Sequence, residues 1–249
     1  WVTLTFVFIA PISLYFGVGI PSDWISMLIL GVVGAVSGAA YIRALTAVDV
    51  SILGPFYNLR TPIIVIFGAI FFKDVLSSTQ TLLMALMVIA GIVVGFDEHF
   101  SLKSLFRPAM IKAWTAIIMS AFFSLAVKNA SIHNTFWDIS FWSNLITLLV
   151  TVVSWPLFSK SIQTTDVRKY SGIAYSTIFS TAGLLTSFKA LEGNIGISVA
   201  IITLPVSMIL AIILSVIAPK LLEKHSWKVY TIRIIAATVM FGSALLLSR

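Results

Sequence analysis

The chain has 249 residues, of which 59% are hydrophobic and only 10% are charged, and its mean hydropathy is +1.06. Soluble domains carry about 25% charged residues, so this composition excludes an ordinary soluble domain and indicates a membrane protein. The net charge of +7 comes from basic residues spread along polar segments, which disfavours nucleic acid and suits anionic lipid headgroups. The absence of cysteine excludes disulfides and cysteine-ligated metals.

Nine membrane-spanning helices are predicted from long apolar runs separated by short polar segments. One bilayer crossing takes about 20 residues, so the chain is long enough for this number. The chain begins with Trp1 inside apolar sequence, and we therefore expect that a preceding N-terminal helix is missing. The predicted helices cover residues 1–20, 26–45, 51–72, 80–95, 110–128, 136–158, 170–191, 195–218 and 227–247.

The two sides of the longest polar connection resemble each other. In the first half, Arg43-Ala44-Leu45 precedes a helix that contains Pro62, and in the second half Lys189-Ala190-Leu191 precedes a helix that contains Pro205. Two five-helix units inserted in succession have opposite orientations in a membrane, which produces inverted repeats around a midplane site. The predicted organisation is a first repeat of four visible helices at residues 1–95, a connecting loop at 96–109 and a second repeat of five helices at 110–249.

Several of these positions match the pattern of a known family. The matching positions are Tyr41-Ile42-Arg43-Ala44-Leu45, the segment 51–74 with Pro62 and a terminal acidic residue, Gly91, Lys189-Ala190-Leu191, Ser198 and Pro205. By these residues the chain resembles the drug/metabolite transporter superfamily, specifically its EamA-type ten-helix members. The resemblance implies an exporter or facilitator of amino acids or other small metabolites. The second half departs from the pattern, because Ala218-Pro219-Lys220 stands where the first half has Asp74.

Two arguments about membrane orientation disagree. Most Lys and Arg residues outside the predicted spans lie on the side where the chain begins, and the positive-inside rule places that side in the cytoplasm. The family resemblance implies the reverse, because both ends of a ten-helix member face the cytoplasm. We expect an integral, multi-pass protein of a bacterial-type inner (plasma) membrane, with its orientation left open.

Arg60 lies near the centre of an apolar run, where a permanent charge needs an explanation. A charged side chain at a helix centre costs ~2.5–3.5 kcal/mol on insertion scales, so we expect Arg60 to face water, a substrate or a partner. Tyr57 precedes it by one turn on the same face. Pro62 cannot donate to the carbonyl of Asn58, and such a break is tolerated where it lines a cavity. We predict that Arg60 and Tyr57 bind an anionic group such as a substrate carboxylate. The alternative is a structural charge held by protein carbonyls or a carboxylate.

Further candidate residues are polar or aromatic side chains inside the predicted helices. Three hydroxyls share one face of the helix at 170–191, and two more flank Pro205 in the helix that corresponds to that of Arg60. Small polar residues also mediate helix packing, and this is the alternative for each of them. Pro62 and Pro205 are predicted helix breaks that shape a central cavity. The predicted substrate-binding set is Arg60, Tyr57, Tyr41, Thr177, Ser180, Thr181, Thr203, Ser207, Trp142 and Asn144.

The predicted helices lack a carboxylate in their central parts, because all nine Asp and Glu residues fall at helix ends or in loops. An antiporter that exchanges protons for organic cations needs such a carboxylate, so a carboxylate-bearing or neutral small molecule is the expected substrate. The three histidines lie in or next to loops without a second ligand at metal spacing. The sequence contains no motif for a cofactor, a metal or a catalytic nucleophile, and we expect no enzyme.

The sequence favours a transporter of small organic metabolites that works by alternating access, and three alternatives stay open. A carrier of sugar phosphates or nucleotide sugars would need more than one central cation, because a dianionic phosphate usually recruits several. A membrane enzyme would need clustered Asp, Glu or His residues, which are scattered here. A scaffold without translocation would have Arg60 tied to protein groups. The expected partners are a small-molecule substrate and the lipid bilayer, without nucleic acid, and the oligomeric state stays open.

Overall fold

The fold is helical throughout the part of the chain that can be described. The computed structural model describes residues 2–48, 53, 57–73, 77–95, 108–158, 167–193, 197–198, 202 and 227–247. These residues form helices and short connections, with no β-strand among them. The predicted all-α class is confirmed for these residues. The predicted count of nine spans stays a prediction, and most of the predicted helix at 195–218 lies outside the described residues.

The helices follow the predicted apolar runs and are numbered in chain order. A 3-10 turn, Tyr57–Leu59, precedes the third helix, and a π-helical turn lies within the sixth. The helices are α1 (Val2–Tyr15), α2 (Trp24–Leu45), α3 (Arg60–Phe72), α4 (Ser78–Gly95), α5 (Pro108–Ala130), α6 (Phe136–Asp138, the π-helical turn Ile139–Ser143 and Asn144–Phe158), α7 (Val167–Leu191) and α8 (Trp227–Leu247).

Among the described residues, three helices are long and apolar enough to cross a membrane. They comprise Trp24–Leu45, Met110–Ala130 and Phe136–Ser154. Large apolar side chains on their outer surfaces are exposed, among them Ile25 at 72% and Val153 at 79%. Extensive apolar exposure of this kind marks a surface that meets something other than water. Length, composition and exposure together give these helices the character of membrane spans.

Two helices begin two residues before the predicted starts because a polar side chain caps each of them. At the start of α2, Oδ1 of Asp23 accepts the N–H groups of Ile25 at 3.0 Å and Ser26 at 3.1 Å. At the start of α4, the N–H of Gln80 donates to Oγ of Ser77 at 3.2 Å, and the N–H of Ser77 donates back to Oε1 of Gln80 at 3.0 Å. These bonds satisfy backbone donors that have no partner within the helix.

The first helix ends earlier than its apolar run predicts. α1 stops at Tyr15, short of the predicted end at residue 20, because the chain turns at Gly17 with a φ of 87°. Glycine adopts this left-handed conformation without the steric cost of a Cβ, which makes it a common residue just after a helix. The N–H of Gly17 donates to the carbonyl of Leu14 at 3.3 Å.

α6 contains a π-helical turn that the apolar pattern did not predict. A π-helical turn shifts the backbone bonds from i→i−4 to i→i−5 and disturbs the ladder next to it. Side chains supply extra donors to the backbone carbonyls there, which matters in a bilayer because no water can do so. The donors are Ser140 Oγ to the carbonyl of Phe136 (2.8 Å), Ser143 Oγ to the carbonyl of Ile139, and Asn144 Nδ2 to the carbonyl of Ser140 (2.8 Å).

The chain groups into two compact units. The first unit comprises Trp1–Gly38 and Phe122–Gly193, and the second comprises Ala39–Ala121 and Asn194–Arg249. Each unit therefore contains residues from both sides of the polar connection that follows α4. The predicted inverted repeats concern the order and orientation of the helices in a membrane, and they stay a prediction.

In the first unit, α2 and α6 cross at a point where glycines leave room. A Cβ added to Gly31 would lie 2.4 Å from Cγ2 of Ile146, and one added to Gly34 would lie 3.0 Å from Oγ1 of Thr147. The hydroxyl of Thr147 donates to the carbonyl of Gly31 at 3.0 Å. Small residues let membrane helices approach closely and bond across the interface. Gly31 therefore sets the distance between these two helices.

In the first unit, side chains of α6 hydrogen-bond to the loop that follows α1. The carboxylate of Asp138 accepts the N–H of Gly19 at 2.6 Å, and it also accepts the N–H of Thr135 at 3.2 Å and its hydroxyl at 2.6 Å. Nε1 of Trp142 donates to the carbonyl of Gly19 at 2.8 Å. Asp138 is only 6% exposed, and its burial is tolerated because these donors satisfy the carboxylate.

Clusters of buried apolar side chains hold the second unit together. The end of α2 and the start of α5 meet in one cluster, and α4 packs against α8 in another. The first contains Ala40, Ala44, Leu53, Met110, Ala113, Ala116 and Ile117, and the second contains Ala90, Ala236 and Met240. Tyr41 and Tyr57 pack against the first cluster, so its packing positions the residues around Arg60.

Candidate functional site

Arg60 is the first residue of α3, whereas the predicted helix at 51–72 placed it near a helix centre. The 3-10 turn Tyr57–Leu59 comes first, and regular α-helix begins at Arg60. Pro62 explains the break, because it has no N–H to donate to the carbonyl of Asn58 and is accommodated best in the first turn of a helix. The expectation of one continuous helix was therefore wrong for this stretch, and the charge lies at the break.

The guanidinium group of Arg60 contacts Ser120 and Tyr57. Its Nη1 donates a hydrogen bond to Oγ of Ser120, on α5, at 3.1 Å. Its Cζ lies 4.9 Å from the ring centroid of Tyr57, which is a cation–π contact. The ring of Tyr57 packs edge-on against that of Tyr41, with centroids 5.3 Å apart and planes at 63°. The structure thus brings three predicted residues together and adds Ser120 as a fourth.

One nitrogen of the guanidinium group, Nε, is enclosed and lacks a hydrogen-bond partner. No carboxylate of the residues that the structure describes lies within ion-pair distance of Arg60. A buried donor left without an acceptor costs ~1–3 kcal/mol, and more when the group is charged. An acceptor that reaches Nε recovers this free energy, so the site favours an anionic or strongly accepting ligand.

The surroundings of Arg60 strengthen its attraction for an anion. Arg60 is partly buried, and the neighbouring rings of Tyr41 and Tyr57 pack against an apolar cluster in which Ala44 and Ile117 have no exposed surface. A charge–charge interaction in such a low-dielectric environment is stronger than the same interaction in water. The described contacts therefore form a partly dehydrated cationic site.

An apolar groove lies beside this site, between α3 and α4. Its volume is about 310 Å³. Apart from two threonines, its lining is apolar, and Arg60 is not part of it. Pro62, a predicted helix break, therefore contributes to a surface that is separate from the contacts of Arg60. The lining residues are Thr61, Pro62, Val65, Ile66, Thr81, Met84, Ala85, Val88 and Ile89.

Three predicted hydroxyls lie on α7, in the first unit. Thr177 is fully buried and donates to the carbonyl four residues earlier at 2.7 Å, and Ser180 donates to the carbonyl of Thr177 at 3.1 Å. Thr181 is 4% exposed, and its Oγ1 has no partner. α7 packs against α1, where the hydroxyls of Thr5 and Ser13 are also buried without a partner. Substrate contact by the three α7 residues stays a prediction.

Trp142 and Asn144, also predicted to contact substrate, lie on α6 in the first unit. Trp142 donates from Nε1 to the carbonyl of Gly19, and its ring packs edge-on against Trp24 with centroids 5.0 Å apart. Asn144 donates from Nδ2 to the carbonyl of Ser140 at 2.8 Å. Both polar groups therefore have backbone partners, and their predicted contact with substrate stays a prediction.

Three further predictions fall on the second half of the chain. Thr203, Ser207 and the helix break at Pro205 lie outside the described residues. The residues around Arg60 belong to the second unit, whereas those on α6 and α7 belong to the first. The geometry that can be built from described residues is therefore that of the Arg60 site.

Ser120 is a residue of this site that the sequence analysis missed. It is 3% exposed and lies 60 positions after Arg60 in the chain. A single serine in an apolar span is as compatible with helix packing as with a functional role. The signal in the sequence was the spacing of Ser120 and Ser124, which are four residues apart and therefore share one face of α5. That spacing does not indicate which residue of another helix contacts this face.

No protein-family model matches the chain, and neither does any curated protein. The resemblance based on sequence motifs therefore stays an expectation. What the residues around Arg60 can bind follows from their own chemistry and geometry.

Proposed function

We propose that this chain is part of an integral, multi-pass membrane transporter for small organic metabolites that carry a carboxylate, such as amino acids. Transport proceeds by alternating access around a central cavity, in a bacterial-type inner membrane. In the part of the chain that the structure describes, three helices with the length and composition of membrane spans support the membrane location. The similarity of the motifs in both halves to EamA-type transporters supports the class of protein.

The observation that carries the proposal is that Nε of Arg60 lacks a hydrogen-bond partner. A purely structural arginine inside a membrane protein is normally paired with a carboxylate or with backbone carbonyls. Here the described contacts use Nη1 and one face of the guanidinium group and leave Nε without an acceptor. A substrate carboxylate supplies the missing acceptor and neutralises the charge, so a carboxylate is the expected recognition group.

The substrate class is tested by transport into proteoliposomes that contain the full-length protein. The solutes are L-alanine, L-leucine and L-phenylalanine, the amide of each, glucose 6-phosphate, and tetraphenylphosphonium as an organic cation. We expect one or more of the amino acids to enter at least about tenfold faster than its amide, because a charge-assisted hydrogen bond contributes ~1.5–3 kcal/mol. Liposomes without protein give the background.

Each other outcome contradicts a defined part of the proposal. Faster transport of glucose 6-phosphate would favour the phosphate-carrier alternative, in which further cations join Arg60. Transport of tetraphenylphosphonium would show that an anion-binding arginine does not select the substrate. If none of these solutes enters while circular dichroism shows a folded helical protein, the alternative without translocation is favoured.

A further inference from the structure

The contacts of Arg60 with Ser120 and Tyr57 hold its guanidinium group at Nη1 and Cζ. Ser120 accepts a hydrogen bond from Nη1, and the ring centroid of Tyr57 lies 4.9 Å from Cζ. The other side of the group is the edge formed by Nε and Nη2, whose N–H groups are parallel. Nε on this edge is enclosed without a partner. The group is thus held from one side while its two-donor edge faces away from Ser120.

Ser120 is well placed to fix the orientation of the guanidinium group. It is 3% exposed, and its neighbours Ala116, Ile117 and Ala121 on the same helix have no exposed surface. A serine side chain has a single rotatable bond to its oxygen, so an oxygen in this packed position moves little. The hydrogen bond fixes one point of the guanidinium group, and the cation–π contact with Tyr57 restrains the position of Cζ.

We infer that Ser120 is a positioning residue, which aims the Nε–Nη2 edge of Arg60 at a single carboxylate group of the ligand. The inference rests on the proposed anion-binding role of Arg60 and adds the edge used, the matching ligand group and the residue that sets the geometry. The two oxygens of a carboxylate match two parallel N–H donors. A chloride ion lacks this geometry, and a carboxamide places an N–H₂ donor against one of them.

The test follows the Nε–H resonance of Arg60 by NMR in the full-length protein, labelled with ¹⁵N-arginine in detergent micelles. Arg60→Lys identifies the resonance by its loss. The probe is sodium acetate, and sodium chloride and acetamide are the controls for ionic strength and shape. In the wild type we expect acetate to shift the Nε–H resonance until saturation, and we expect neither control to do so.

Variants of Ser120 test its positioning role in the same titration. We expect Ser120→Ala to weaken acetate binding by about tenfold, because a charge-assisted bond that orients Arg60 is lost. Ser120→Thr keeps the hydroxyl and is expected to restore binding. Ser120→Cys has a similar volume but a weak acceptor, and it gives the same expected loss if Ser120→Ala does not fold. Ser124→Ala, a buried serine one turn further on α5, is the matched control and should bind acetate as the wild type does.

The outcomes separate this inference from the proposed function. Equal acetate affinity in the wild type and in Ser120→Ala or Ser120→Cys would overturn the positioning role. Failure of acetate to shift the wild-type resonance would overturn the use of this edge, even if transport of an amino acid still depended on Arg60. Saturable acetate binding that depends on Ser120, in a protein that transports none of the tested solutes, would uphold the inference and contradict the transport proposal.

Discussion

An arginine in apolar surroundings is stable at the level of a single residue only when its donors find acceptors or remain near solvent. For Arg60 the acceptor on Nη1 is Ser120, and the ring of Tyr57 adds a cation–π contact. These two contacts leave Nε unsatisfied. The side chain is therefore held in place without being neutralised, which is the condition that a binding residue needs.

The ring of Tyr57 can be tested separately from its hydroxyl. Tyr57→Phe keeps the aromatic face beside the guanidinium group, whereas Tyr57→Leu removes it. A cation–π contact contributes ~0.5–2 kcal/mol, so we expect Tyr57→Leu to weaken acetate binding by about 2- to 30-fold. Tyr57→Phe, which keeps the ring, should lose less binding than Tyr57→Leu does. Equal losses in both variants would show that the hydroxyl, and not the ring face, supports Arg60.

Asp23, the cap of α2, links the stability of the first unit to pH. The pKa of its carboxyl lies below the usual range, because the hydroxyl and the N–H of Ser26, and the N–H of Ile25, hydrogen-bond its charged form. The nearby His133 lowers this pKa further. A carboxyl whose pKa is lower in the folded state than in the unfolded state stabilises the fold above about pH 4, and this contribution is lost as the pH falls through the folded pKa.

Asp23→Asn isolates this charge, because asparagine caps a helix about as well as aspartate does. We expect the variant to unfold at a lower temperature than the wild type near pH 7. The difference should shrink below about pH 4, where the wild-type carboxyl becomes protonated. Thermal unfolding in detergent, followed by circular dichroism across this range, measures the difference. A difference that does not change with pH would mean that the charge of Asp23 contributes nothing to stability.

At the level of the helices, close approach at a glycine decides whether α2 and α6 can pack. Gly31 has almost no space for a side chain, since an added Cβ would lie 2.4 Å from Ile146. The bond from Thr147 to the carbonyl of Gly31 depends on the same approach. Gly183, on α7, has nothing within 4 Å of an added Cβ, so it provides a matched position where only the intrinsic preference for helix changes.

We expect Gly31→Ala to destabilise the protein by about 1–3 kcal/mol, as is typical when an added methyl group overpacks an interface. Gly183→Ala should be neutral or stabilising by up to ~1 kcal/mol, because alanine favours a helix more than glycine does. Thermal unfolding of both variants in the same detergent measures the contrast. Equal stability of the two variants would show that α2 and α6 do not pack at Gly31.

The sequence predicts the positions of the helices better than it predicts their caps and the π-helical turn. The bounds of α8 agree with the predicted run at 227–247, because a long apolar stretch between polar residues leaves few alternatives. The bounds of α6 also agree, yet its π-helical turn was not predicted. The caps at Asp23 and Ser77 are visible in the sequence as polar residues before an apolar run, and including them would have corrected two helix starts.

The contacts of the site could be predicted only where the two residues lie close together in the sequence. The contact of Tyr57 with Arg60 follows from their spacing within one segment, and it was predicted. The contacts with Ser120 and Tyr41 join residues on different helices, and no local pattern specifies which helices pack together. The start of α3 could have been placed within one turn of Pro62 from the rule that proline prefers the first turn of a helix.

At the level of the whole molecule, the proposed function rests on helices suited to a membrane and on a partly buried arginine. Three of the described helices have the length and composition of membrane spans, which makes the chain suited to a bilayer. Within one compact unit, a partly buried cation has one nitrogen, Nε, without a hydrogen-bond partner among the described residues. A buried donor without an acceptor lowers stability, and binding of a ligand that accepts from it removes this cost.

The most direct test of this account compares the initial rate of uptake of the best amino acid by the wild type, Arg60→Ala and Lys112→Ala in proteoliposomes. Lys112 is an exposed cation on α5, and its removal controls for the loss of one positive charge. We expect Arg60→Ala to lower the rate at subsaturating substrate by at least about tenfold and Lys112→Ala to leave it unchanged. A folded Arg60→Ala protein that takes up the amino acid at the wild-type rate would contradict the assignment of Arg60 as the substrate-binding residue.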